Sequence, residues 1–146
     1  MRRFVWRLQR VLDVKIKQEE VKRIELFRVT QALAEKRTEL LLRQRTLQEA
    51  LAAIGTENSS RRIGEQEMFL RCAATNDEQI RLLKAVIQDL ETCQKAKLAE
   101  LLAVRQFREA LERLREETRQ RFVLEQERLE QKESDERAVI AFARVP

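Results

Sequence analysis

Residues 5–54 read VWRLQRVLDVKIKQEEVKRIELFRVTQALAEKRTELLLRQRTLQEALAAI. Stepping by seven from Val5 gives Leu12, Glu19, Leu26, Leu33, Leu40, Leu47 and Ile54, and only Glu19 breaks the apolar run. A seven-residue apolar repeat marks a helix that buries one seam against another helix. Leu8, Val29 and Ala50 add a second position to this ladder, and Lys15, Lys22, Lys36 and Arg43 fill its other sites. Their long stems can cover apolar surface while the charged heads stay in water. The spacing predicts a first helix from about residue 4 to residue 54.

The rest of the chain supplies what that seam needs. Gly55 follows the last ladder residue, as a helix-ending glycine does. Thr56, Glu57, Asn58, Ser59, Ser60 and Gly64 make a turn-rich stretch over 55–64, with Ser59 or Ser60 placed to cap the next helix. A second helix is expected over 65–143. Its seam reads Ile80, Leu83, Ile87, Leu90, Gln94, Lys97, Leu101, Val104, Arg108 and Leu111, in alternating steps of three and four. The patch from Ala73 to Asp77 is a weak point where this helix is expected to kink or fray. One short turn between two long amphipathic helices implies an all-α antiparallel coiled-coil hairpin, here a single domain over 1–146.

Composition agrees with that class. Charged residues make up 38% of the chain, with two glycines, no tyrosine and a single proline at position 146. Such a chain is built for long helices, not for a multilayer core. The net charge of +5 sits entirely in residues 1–60, which carry 13 basic and 8 acidic side chains; residues 61–146 carry 17 of each. Arg2, Arg3, Arg7 and Arg10 lead the basic end, which suits an acidic protein surface or anionic lipid. No continuous basic stripe runs on through the chain, which argues against nucleic acid. The longest apolar run, residues 138–143, is too short to span a bilayer, and no secretory h-region follows the basic start.

Catalytic chemistry is missing. There is no histidine to act as a base near neutral pH, and no phosphate-binding glycine loop. Cys72 and Cys93 lie 21 residues apart, about 31 Å along one helix, so they form neither an intrachain disulfide nor a zinc site. The abundant carboxylates lie at helical spacing among Lys and Arg and read as solvated ion pairs. We expect no enzyme, cofactor, metal site or small-molecule ligand.

Centring the turn near residue 59.5 pairs residues whose numbers sum to about 119. The gap at Glu19 and Lys22 then faces Glu100 and Lys97, as a polar layer that fixes register. Residue 4 pairs with about residue 115, and the second helix continues unpaired for about 28 residues, roughly 40 Å. That overhang carries Phe122, Val123, Leu124 and Leu129, a charged run over 125–137, and Ala138 to Phe142. Apolar residues without an internal seam mark an interaction surface.

The opening Phe4-x-Trp6-x-Leu8-Gln9-x-Val11-Leu12-Asp13-Val14-Lys15, followed by Gln18-Glu19-Glu20, resembles the N-terminus of the flagellar export protein family FliJ. The C-terminal Phe107, Leu111, Leu114-Arg115-Glu116, Phe122-x-Leu124-Glu125, Glu130-x-Lys132-Glu133-x-Asp135-Glu136 and Phe142 are similar to the family's acidic end. The resemblance implies a noncatalytic stalk, similar to the gamma subunit of rotary ATPases, in the flagellar type III export apparatus. It implies a cytoplasmic protein, peripheral at the inner membrane. Its implied partners are the hexameric export ATPase FliI, the cytoplasmic domain of the export gate FlhA, and export chaperones. Carried onto this sequence, the ring-binding residues are Arg3, Arg7, Phe122, Leu124, Leu129, Asp135, Glu136 and Phe142. The gate-binding residues, toward the hairpin tip, are Leu40, Leu47, Met68, Phe69 and Ile80. Two rival readings are a coiled-coil holdase chaperone and a plain structural spacer. A virulence secretion system is the alternative setting.

Overall fold

A computed structural model describes residues 2–56 and 63–145. It contains two helices, α1 over Gln9–Thr56 and α2 over Ile63–Ala143, and no strand among the described residues. They pack against each other as an all-α helical hairpin. α1 runs one residue past Gly55, and α2 already includes Gly64. The proposed caps Ser59 and Ser60 lie outside the described residues. α2 also passes unbroken through residues 73–77, where a kink was expected. There Ala73 and Asn76 turn inward, and the Asn76 Nδ2 donates to the Arg43 carbonyl at 3.4 Å. A side chain that bonds across the seam holds the helix where propensity alone is poor.

The chain divides into two compact units. The first comprises residues 1–20 and 102–146. Its core is Trp6, Leu12 and Leu111, with Phe4 and Leu8 packed on it. The ladder predicts Val5 as its first rung, yet Val5 is 82% exposed and Trp6 takes the buried place. Residues 2–8 are not helical, so they do not obey the heptad. The turn is closed by the Gln9 amide, which donates to the Trp6 carbonyl at 3.2 Å.

The second unit comprises residues 21–101. Leu33, Ile80, Leu83, Ile87 and Leu101 are buried in it, all at predicted seam positions. Leu26, Val29, Leu40, Leu47 and Leu90 are half-buried at the intervening ones. Side chains tie the helices along the seam edges: Arg37 to Glu91 at 2.9 Å, Gln94 to Thr30 at 3.1 Å, and Arg43 to Gln79. The order of these pairs shows that the segments run antiparallel.

Polar layers stand where the ladder lapses, but with partners other than those expected. In the first unit the Glu19 carboxylate, 4% exposed, accepts hydrogen bonds from Arg108 and from Arg105 Nε at 3.2 Å. Arg108 also donates to Glu112 at 2.9 Å. In the second unit Lys22 pairs with Glu100 at 3.0 Å and Lys97 with Glu25 at 3.1 Å. The remaining edges of this square, Lys22–Glu25 and Lys97–Glu100, are 3.5 and 3.7 Å. Lys22 thus faces Glu100, not Lys97, and Glu19 faces arginines, not Glu100. Facing pairs such as Lys22 with Glu100, Glu25 with Lys97, and Lys15 over the Phe107 ring have numbers summing to 122, not 119. The shift puts opposite charges together where the expected register would have opposed like ones.

Burial alone would raise the Glu19 carboxyl, but the hydrogen bonds and charges of Arg108 and Arg105 outweigh it and hold the carboxyl below the ordinary 4.5. The hydrogen bond from Lys97 lowers Glu25, and that from Lys22 lowers Glu100. Lys22 and Lys97 are raised above 10.5 by bonding Glu100 and Glu25 respectively. Groups lowered on folding stabilise fully above their unfolded value, and that contribution is lost as pH falls through the folded one. The lysines contribute fully below 10.5 and lose their share as pH rises beyond it. Glu19→Gln should therefore lower stability at neutral pH by about 1.5 kcal/mol. That is the low end for a bond to a charged group, because a two-helix seam shields Glu19 without surrounding it in depth. Thermal melts across the acid range check this: the gap between parent and variant should close as pH falls below 4.5. A gap that stays constant with pH would rule out the ionised pair as its source.

Candidate functional site

The site grows from the N-terminal segment of the first unit. Residues 2–6 carry no regular secondary structure, so this segment is not held to the roughly 1.5 Å rise per residue of a helix. Phe4 therefore reaches further along α2 than a helix would, and its ring meets that of Phe122 at 5.4 Å between centroids, tilted by 50°. The expected partner was residue 115. Phe122 thus packs inside the fold and is not a free docking residue. Gln126 is the last half-buried side chain of α2, so its fully exposed end, 127–143 and about 25 Å, is shorter than expected.

Every side chain from 127 to 145 is exposed. Leu124, Leu129, Val139 and Ile140 stand in water, and Phe142 is 86% exposed. Between these apolar ends lie Asp135 and Glu136, also exposed. Arg128, Lys132, Asp135, Glu136, Val139 and Ile140 line one shallow strip of this helix, at the spacing that places residues three and four apart side by side. Residues 123–143 carry six acidic and three basic side chains. At their root the sign reverses: Arg2, Arg3, Arg7 and Arg10 are all exposed. The fold thus brings Arg3 and Arg7 into one unit with the ring-binding set on α2. This end offers an acidic helix with apolar ends rising from a basic collar. That arrangement can bind another protein by charge and apolar contact. Among the described residues, no group of His, Cys, Asp and Glu is arranged to hold a metal ion. Among the described residues, no helix is long and apolar enough to cross a membrane.

The second predicted group is not brought onto one surface. In the second unit Ile80 is buried in the seam, and Leu40 and Leu47 are half-buried along it. Only Met68 is exposed, with Phe69 half-buried. The seam takes the side chains that periodicity singles out, which leaves little of this set for a partner. A different apolar surface was missed. Val21, Ile24, Phe27, Leu41 and Leu42 of α1 all face solvent. The signal for it was the run Leu40-Leu41-Leu42, since three consecutive residues cannot share one seam.

A family model described as flagellar FliJ protein matches residues 4–146. No curated protein matches the chain, and no solved structure does.

Proposed function

The chain belongs to the FliJ family of flagellar proteins, whose members serve flagellar export without being enzymes, and from that premise we propose that it is the noncatalytic central stalk of the type III export ATPase. The end of α2 enters the ATPase ring, promotes its assembly and couples it to the export gate. The observation that carries this reading is the stretch beyond Phe122, where an intact helix holds Leu124, Leu129, Val139, Ile140 and Phe142 in water. A helix with no internal partner for such residues has them available for another chain. At roughly 10–12 Å across, a single helix is slender enough for the axis of a protein ring.

Leu124, Leu129 and Phe142 supply apolar contact, and Asp135 and Glu136 supply charge. Arg3 and Arg7 form the collar that meets the ring's rim. Met68 is the exposed residue of the gate-binding set and touches the gate. Export chaperones are further partners. Attachment to the ATPase and gate would hold the protein at the cytoplasmic face of the inner membrane. Adding the protein to its cognate ATPase should raise both turnover and the fraction of hexamer. Leu129→Glu with Phe142→Glu should remove most of that stimulation while leaving the melting temperature within about 2 °C, as exposed sites do. Stimulation unchanged in this variant would rule the reading out.

A further inference from the structure

The second exposed apolar surface lies on the face of α1 turned away from the seam, within residues 21–42. Val21, Ile24, Phe27, Leu41 and Leu42 stand on it, with Phe27 and Leu41 each 66% exposed. Ala34 and Thr38 complete the stripe, also exposed. Arg28 and Glu35 flank it, exposed and in no ion pair among the described residues. These positions recur at steps of three, four and seven, the spacing of a second seam opposite the first.

We infer that this face pairs antiparallel with the same face of a second copy of this chain. Two copies related by a two-fold axis between residues 32 and 33 place facing positions at numbers summing to 65. Ile24 then meets the partner's Leu41, and Phe27 meets the partner's Thr38. Gln31 meets the partner's Ala34. In the flanking row Val21 lies against the partner's Leu42, and Arg28 against the partner's Glu35. Each contact occurs twice, so all five large apolar residues are covered and both unpaired charges find an opposite one.

Orientation follows from the same residues. In a parallel pair this flanking row would face the partner's opposite flanking row, so Arg28 would not meet the partner's Glu35; the antiparallel pair is the one that brings these opposite charges together. Self-complementarity of one patch is what an isologous two-fold contact requires. A 22-residue helix pair is about 33 Å long and falls at the low end of specific interface area, so the dimer dissociates on dilution. The contact uses none of the residues assigned to the ATPase ring.

Sedimentation velocity of the full chain over a concentration series tests the pairing. A monomer–dimer equilibrium is expected. Leu41→Glu should leave a monomer at every concentration with its helical circular dichroism unchanged, because Leu41 is exposed. Arg28→Glu and Glu35→Arg should each weaken association by about tenfold or more, and the two together should restore it, since opposite charges again face each other. A parent chain that is monomeric throughout overturns the inference, as does a dimer that survives Leu41→Glu, or a double variant no tighter than the singles. A monomer in which Leu41→Glu instead abolishes binding to the export ATPase or another protein gives the face to that protein, and equally overturns it.

Discussion

Deleting residues 124–146 should return the cognate export ATPase to its unassisted turnover and its unassisted hexamer fraction. The effect is expected to be nearly complete because the deletion removes Leu124, Leu129, Val139, Ile140 and Phe142, all of them exposed. It should cost the fold little. Phe4 against Phe122 and the Trp6–Leu12–Leu111 core all lie before the cut. Of the described side chains removed, only Gln126 is half-buried and the rest are exposed. Stability should therefore change by no more than about 1 kcal/mol, the scale of fraying at a new helix end. Cutting instead before Phe122 should lower the melting temperature as well, because Phe4 then loses its ring partner. A protein truncated at residue 123 that stimulates the ATPase as the full chain does would remove the reason for assigning function to this end.

Leu33→Ala should destabilise the hairpin by about 3 kcal/mol, within the range for truncating a buried leucine. Leu33 is 1% exposed, the most buried large side chain among the described residues. Two helices cannot collapse far into the space it leaves, since each is held by ion pairs on both sides: Arg37 with Glu91 and Lys97 with Glu25. The outward-facing Leu41 is the control. Its truncation to alanine should change folding stability by no more than about 0.5 kcal/mol when measured below the concentration at which copies associate. Urea denaturation of both variants checks the contrast. Equal losses would mean that the ladder is not the seam on which the fold rests.

Most of the architecture was written in the spacing. Leu12, Leu26, Leu33, Leu40 and Leu47 turn inward, and all ten seam positions from Ile80 to Leu111 are buried or half-buried. Helices with a heptad repeat have little choice in this, because one face is set by the period alone. Register was less legible. It depends on where the chain reverses, and a turn-rich stretch locates that to within a few residues only. The partner of Lys22 consequently lies about one helical turn further on, at Glu100, and those of Glu19 about one and a half to two turns further on, at Arg105 and Arg108.

The start of the chain departs from the ladder for a related reason. Val5 continues the ladder by spacing, but residues 2–8 are not helical and a period of seven has no meaning there. Trp6 is the larger side chain to hide, and it anchors the segment instead. The same non-helical segment carries the internal contact to Phe122, which shortens the unpaired helix. Of the ring-binding set, Leu124, Leu129, Asp135, Glu136 and Phe142 remain on that helix, because unmatched apolar residues at helical spacing point to a surface whatever the register. Ile80 shows the converse: a strong seam residue, it was available to periodicity and therefore not to a partner.

The most direct measurement replaces Leu129 or Val139, one at a time, with a photo-crosslinking amino acid and irradiates the full chain with its cognate ATPase. The stalk reading predicts crosslinks from both positions to the ATPase, mapping to residues that line the ring's axis, and none from an equivalent probe at the buried Leu111. Probes at Leu129 and Val139 that capture only bystander proteins, or that reach the ATPase only on its outer surface, would contradict it.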